Sequence, residues 1–309
     1  MKATSIIAAF FALIYVLAPD AEAADRDMIP FEMSKSGHIL VNVRLNDVTT
    51  VDAILDTGAT FPIIDQASAR RVGIALADTP ETVSIVGLGE ALTFPVVSVD
   101  RLALGGLSID NLPAAYNARV AFPASGNVLP AGAIPRRTLD FDFDRSQLRM
   151  YDSAPHTLHR FSSTRLDIIR IGGLPFIEVS VNGQRGLALI DTGASLTYVN
   201  SRFAEGAARS QNSIRDIELV GATGTTVPVT ILHSRRFSLG DFEVERFNVV
   251  VSDAEFLRDL GISEQPVMVL GLDVLKAFRL QIDREREIVR FSIPNRGLRS
   301  GPVTTFIAR

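Results

Sequence analysis

Two short segments of this 309-residue chain end an apolar run in an acid: Ile54-Leu55-Asp56-Thr57-Gly58-Ala59-Thr60 and Leu189-Ile190-Asp191-Thr192-Gly193-Ala194-Ser195. Such lead-ins read as buried strands, and a charge at the end of a buried strand is costly unless something shares it. The two aspartates lie 135 positions apart (191 − 56). Brought face to face at about 3 Å, two carboxylates cannot both ionise; they share a proton and their pKa values separate. The pair then supplies an acid and a base at one pH. The ionised carboxyl can take a proton from a water that attacks an amide carbonyl, while the protonated one hydrogen-bonds to the carbonyl oxygen as charge develops there. This chemistry needs no metal, cofactor or covalent intermediate, and the titration belongs to the pair rather than to either residue. Gly58 and Gly193 let amides approach a carboxylate. Thr57 and Thr192 bring hydroxyls able to cross from one loop to the other, and such donors offset the cost of a sheltered anion. Thr60 and Ser195, the hydroxyls that close each segment, complete the expected support.

The elements that must position these loops repeat as well. "HILVNVRLND" (38–47) and "PFIEVSVNG" (175–183) precede the two copies; each alternates apolar and polar residues and ends in a turn pair, Asn46-Asp47 or Asn182-Gly183, as a hairpin does. After each copy come an apolar stub and a short helix predicted to start at Asp65 or Asn200, both good N-caps. A strand, a glycine-bearing turn and a second strand follow, at 84–96 and 218–230, and Gly105-Gly106 and Gly240-Asp241 mark further hairpin turns. "LDFDFDRSQLRMY" (139–151) pairs with "FRLQIDREREIVRF" (278–291). The chain therefore divides into residues 24–152, a polar join at 153–165, and residues 166–309. Duplicated units commonly pack about an approximate two-fold axis, and loops on that axis would bring Asp56 against Asp191.

Composition sets the outer limits. At 47% hydrophobic and 21% charged, the chain has the makings of a substantial core. A net charge of −4 predicts neither nucleic-acid binding nor a polybasic membrane contact. Val, Ile, Thr and Phe in short runs favour a β-rich fold. Residues 1–23 have the charged start, short apolar run and Ala21-Glu22-Ala23 site of a secretory signal peptide, cleaved after Ala23. The run is short for a membrane span; an uncleaved N-terminal anchor is the alternative. With no cysteine, the sequence suggests export to a bacterial periplasm rather than a disulfide-stabilised secreted domain.

Two copies of hydrophobic-hydrophobic-Asp-Thr-Gly-Ala, each followed by a glycine-bearing hairpin, resemble the aspartic protease superfamily, and the small repeat resembles its retropepsin-like branch in tandem. The resemblance spans about residues 30–293. It implies an all-β fold with a few short helices, bilobal, with a central cleft: an aspartic endopeptidase acting on an extended polypeptide as a monomeric pseudo-dimer. It implies catalytic roles for Asp56 and Asp191 and a threonine cross-link for Thr57 and Thr192. Flap hairpins fall at about 83–96 and 217–229, with Val86, Gly87, Leu88, Gly89, Val220, Gly221, Ala222 and Thr223 over the substrate. The family's hydrophobic-hydrophobic-Gly buttress is clear in Val269-Leu270-Gly271, before a helix at 272–278. The matching first-repeat segment reads Pro130-Ala131-Gly132, and Pro135 weakens a helix there; a non-catalytic peptide-binding relative of the same fold is the rival this departure raises. Ala59 and Ala194 stand where pepsin-like enzymes carry Ser or Thr. Fewer donors leave the pair's pKa values higher, hence an optimum at mildly acidic to near-neutral pH.

Other residues read more plainly. His156 and His159 sit in the join without further ligands for zinc. Asp140, Asp142 and Asp144 alternate like the solvated face of a strand. A two-carboxylate glycosidase would need a wider separation, at least about 5 Å, for which the duplication gives no reason.

Overall fold

The computed structural model describes residues 27–87, 91–122, 124–159, 161–210, 213–220, 226–294 and 306–308. Strands dominate, arranged as two lobes of mixed sheet joined by a six-stranded antiparallel sheet. Among the described residues, no helix is long and apolar enough to cross a membrane.

The lobes repeat element by element. Strands Ile39–Leu45 and Thr49–Asp56 form one hairpin, and Leu174–Val181 and Gln184–Ile190 the other. Their turns put Asn46, Asp47, Asn182 and Gly183 at positive φ, the left-handed backbone that Asn, Asp and Gly tolerate best. The helices at Gln66–Arg71 and Ser201–Ala207 begin at the predicted caps: Asp65 accepts from the Ser68 N–H at 2.6 Å, and Asn200 from the Phe203 N–H at 3.0 Å.

The central sheet runs Asp27–Pro30, Gln147–Tyr151, Thr138–Asp142, Arg279–Asp283, Ile288–Pro294, Phe161–Asp167. Three strands precede the midline and three follow it, with Thr138 opposite Asp283 and Asp142 opposite Arg279. The segment read as an irregular join becomes a strand at Phe161, the counterpart of Asp27–Pro30. One hydrophobic cluster, from Ile29 to Ile293, runs through both lobes.

This sheet corrects the reading of Asp140 and Asp142 as solvated. They are 1% and 4% exposed, because their strand is central rather than peripheral; only Asp144 faces solvent. Arg279 donates to both Asp140 oxygens, at 2.8 and 2.7 Å, and lies 3.3 Å from Asp142. Across the midline Arg137 holds Asp283 in the same fork, at 3.0 Å twice. Although burial works against it, that pairing keeps the Asp283 carboxyl below the usual carboxylate range. The lobes are thus stitched by charges withdrawn from water. Asp140→Ala, which leaves the Arg279 guanidinium only its contact with Asp142, should cost about 3 kcal/mol in urea denaturation, whereas Asp140→Leu combined with Arg279→Leu should recover most of that loss.

Candidate active site

Each Asp-Thr-Gly loop emerges from a strand braced by a parallel neighbour. Ile54, Leu55 and Asp56 pair with Val128, Leu129 and Pro130; Leu189 and Ile190 pair with Val269 and Leu270. This register corrects the sequence alignment of the buttress by two residues. The apolar pair beneath Asp56 is Val128-Leu129, 8% and 1% exposed, and Pro130 rather than Gly132 takes the place of Gly271.

The exchange is chemically consistent. In the second lobe the Thr197 hydroxyl accepts from the Gly271 N–H at 3.0 Å and donates to Asp273 at 2.6 Å. The equivalent first-lobe positions are Pro62 and Pro130, both buried: one has no hydroxyl, the other no N–H, so no group is orphaned. Helix Leu272–Leu275 is replaced by the single turn Ala131–Ala133. Arg284, from the other lobe, donates to the carbonyls of Gly132, at 2.9 Å, and Ile134. The weakened turn is therefore supported from across the lobe boundary.

At that boundary the two loops exchange hydrogen bonds. The Thr57 N–H donates to the Thr192 hydroxyl at 3.0 Å, and the Thr192 N–H to the Thr57 hydroxyl at 2.9 Å. Thr57 Oγ1 donates to the Ile190 carbonyl and Thr192 Oγ1 to the Leu55 carbonyl, both at 2.7 Å. Both threonines are buried. The exchange brings the carboxyls of Asp56 and Asp191 into hydrogen-bond contact. The Gly58 N–H donates to Asp56 Oδ1 at 2.6 Å; the N–H groups of Gly193 and Ala194 donate to Asp191 Oδ1 at 2.8 and 3.1 Å.

Glycine is required in both loops by the opposite lobe. A Cβ at Gly58 would stand 2.5 Å from the Asp191 carboxyl carbon, and one at Gly193 would overlap the Asp56 carboxyl. Burial raises both carboxyls above the ordinary value, and the Asp56 charge pushes Asp191 well above it; the amide donors oppose the rise.

The other predicted residues are placed more loosely. Thr60 is exposed and Ser195 half-buried, and no hydrogen bond joins either to the carboxyls. Hairpins stand where flaps were expected: Thr82–Ile85 with Leu92–Pro95, and Ile214–Val220 with Thr226–Leu232. Val86 and Gly87 lie just beyond the first strand. Val220 ends a strand of the second. Leu88, Gly89, Gly221, Ala222 and Thr223 lie outside the described residues. The Gly87 carbonyl accepts from the Phe256 N–H at 3.4 Å, so the first hairpin reaches the second lobe. An apolar cluster beside the first loop joins Ala59 and Phe61 to Val83, Ile85 and Phe94 of that hairpin. Of the terminal segments, Asp27–Pro30 joins the central sheet and Phe306–Ala308 pairs with Phe242–Val244 in the second lobe.

Sequence reasoning passed over three contributors: Arg284, Phe256 and His38. His38 is 7% exposed and feels the Asp56 charge. The signal for His38 was its mismatch with Leu174 at the same place in the second repeat.

Two outcomes follow for stability. Thr57→Val leaves the Ile190 carbonyl and the Thr192 N–H without partners and should cost about 2–5 kcal/mol in urea denaturation, with Thr57→Ser largely neutral. The carboxyls' folded pKa values are raised, so the folded chain keeps a proton that the unfolded chain releases above about pH 4. Stability from this source is full below that pH and declines as pH rises through the folded values. Asp191→Asn should therefore raise Tm at neutral pH, with the gain vanishing near pH 3.

A search of curated proteins finds no match to the chain. A family model described as "Aspartyl protease" matches twice, at residues 41–133 and 177–274. Each match carries one of the loops whose threonines interlock. Since the matches together cover more than half of the sequence, the chain belongs to the aspartyl protease family.

Proposed function

We propose that the protein is an aspartic endopeptidase in which Asp56 and Asp191 activate one water for attack on a peptide bond. The observation that carries this reading is the reciprocal threonine exchange, which holds two raised carboxyls in contact at the lobe boundary. The pair shares one proton; in the form with that proton on Asp191, Asp56 carries the charge. Asp56 takes a proton from water as its oxygen attacks the carbonyl carbon, while Asp191 donates to the carbonyl oxygen. When the tetrahedral species collapses, Asp56 passes its proton to the leaving nitrogen and Asp191 recovers its own.

Two features support an extended polypeptide as substrate. Strand hairpins flank the loops and can pair with an extended backbone. The partly buried Ala59, Phe61, Val83 and Ile85, packed against Phe94, offer apolar surface to alternate side chains. The Val128-Leu129 brace and the Arg284 contacts remove the reason to read the first lobe as degenerate. We further propose export to a periplasm after cleavage behind Ala23, and action as a monomer.

Asp56→Asn and Asp191→Asn should each lower kcat/KM for a peptide-library substrate by about 10²–10⁴-fold; variants that cleave like wild type would refute the assignment. The pH–rate profile should be bell-shaped, its acid limb set by the first ionisation of the pair and its alkaline limb by the second, with its peak well above pH 3. Intact mass of protein recovered from the periplasm of an expressing bacterium should match a chain beginning at Ala24.

A further inference from the structure

We propose that His38 is a positioning residue of this site: from the first lobe it clamps the second Asp-Thr-Gly-Ala loop at Gly193 and biases the charge of the pair toward Asp56. The inference rests on the hydrolytic reading above for its kinetic consequences, but the clamp itself is a matter of geometry.

His38 closes the tight loop Ser34-Lys35-Ser36-Gly37-His38. The Ser34 N–H donates to the His38 carbonyl at 2.8 Å, the Gly37 N–H to the Ser34 carbonyl at 3.0 Å, and the His38 N–H to Ser34 Oγ at 3.0 Å. On one side of the ring, Nδ1 lies 3.0 Å from Ser36 Oγ, itself 2.9 Å from Ser34 Oγ. On the other side the ring faces the Gly193 backbone. A neutral imidazole protonated on Nε2 satisfies both sides, accepting from Ser36 and donating to Gly193. The loop also abuts its target directly. Gly37 has φ +84°, and a Cβ there would stand 3.3 Å from the Ser195 Cβ. Gly193 is the residue whose N–H holds Asp191 Oδ1, so fixing its carbonyl restrains the residue that carries that donor. The charged group acting on the ring is Asp56; Lys35 is exposed, and Ser34, Ser36, Gly193 and Ser195 are uncharged.

The second repeat has no such clamp. By strand pairing, Gly173 and Leu174 stand where Gly37 and His38 stand in the first, and a leucine there has no donor to offer. Beside the Asp56 loop, Ala59, Thr60, Gly172 and Gly173 border an open cavity of about 790 Å³. One loop of the pair is held by an imidazole and its twin faces a void, so the two carboxyls are not equivalent. Burial keeps the imidazole below its ordinary pKa, and it gains a charge only in acid. That charge favours the Asp56 carboxylate, and the same coupling acts in reverse.

Two measurements test this. The first needs no cleavage: a side-chain NMR titration of His38 in wild type and in Asp56→Asn. The His38 pKa should fall further when the Asp56 charge is removed; an identical titration in both proteins would overturn the proposal. The second compares His38→Gly, which removes the ring, with His38→Gln, whose amide can still donate to Gly193. His38→Gly should lose kcat by on the order of 10–100-fold with KM nearly unchanged. His38→Gln should recover most of kcat, and in both variants the acid limb should move to higher pH. Loss carried by KM alone, failure of Gln to rescue, or an unmoved acid limb would each count against the clamp. If wild type cleaves no peptide yet the His38 titration depends on Asp56, the hydrolytic reading falls and the clamp stands.

Discussion

Two like charges held against each other inside a protein are the constraint from which the rest of this structure follows. A carboxylate pair of this kind repels, and desolvation adds to the cost. Something must supply donors and hold the distance. The amides of Gly58, Gly193 and Ala194 supply the donors, and the paired threonines hold the distance, because each gives an N–H and a hydroxyl to the opposite loop. Their bonds cross the lobe boundary, so neither lobe can form the site alone. The lobes must meet in one register, and the six-stranded sheet provides it. Asp140 and Arg279 in that sheet play a part like that of the threonines: they are polar groups whose burial is tolerable only when the partner lobe is in place.

The same logic explains how the lobes differ. The second lobe keeps a hydroxyl-to-amide bond under its loop and a short helix beyond it. The first lobe has neither, and borrows a guanidinium from across the boundary instead. In exchange, the first lobe lends His38 to the second. A pair of identical chains could not make this trade, since any side chain placed for one loop would appear at the other. A tandem chain can make each half depend on its neighbour.

Much of this was legible in the sequence because duplication prints the same residues twice. Asp56 and Asp191, their threonines and glycines, the caps Asp65 and Asn200, and the turns at Asn46 and Asn182 all show as matches between repeats. What resisted reading is what the repeats do not share. His38 matches a leucine, Leu174, and carries no motif. Arg284 supports a turn 152 positions away. Asp140 and Asp142 alternate as surface residues do, and only the pairing of two separate hairpins buries them. The first buttress was misaligned because the glycine of the pattern pulled the register onto Gly132, whereas backbone pairing places Pro130 there. Local pattern reports local periodicity; the neighbours of a central strand are decided elsewhere in the chain.

The two prolines under the first loop have a consequence for substitution. A threonine at position 62 alone would bury a hydroxyl with no amide to accept from, since Pro130 has none. A glycine at 130 alone would bury an amide with no hydroxyl to accept it. The two positions are therefore coupled: each proline can be exchanged for its second-lobe counterpart only together with the other, as the bonded pair Thr197 and Gly271 illustrates.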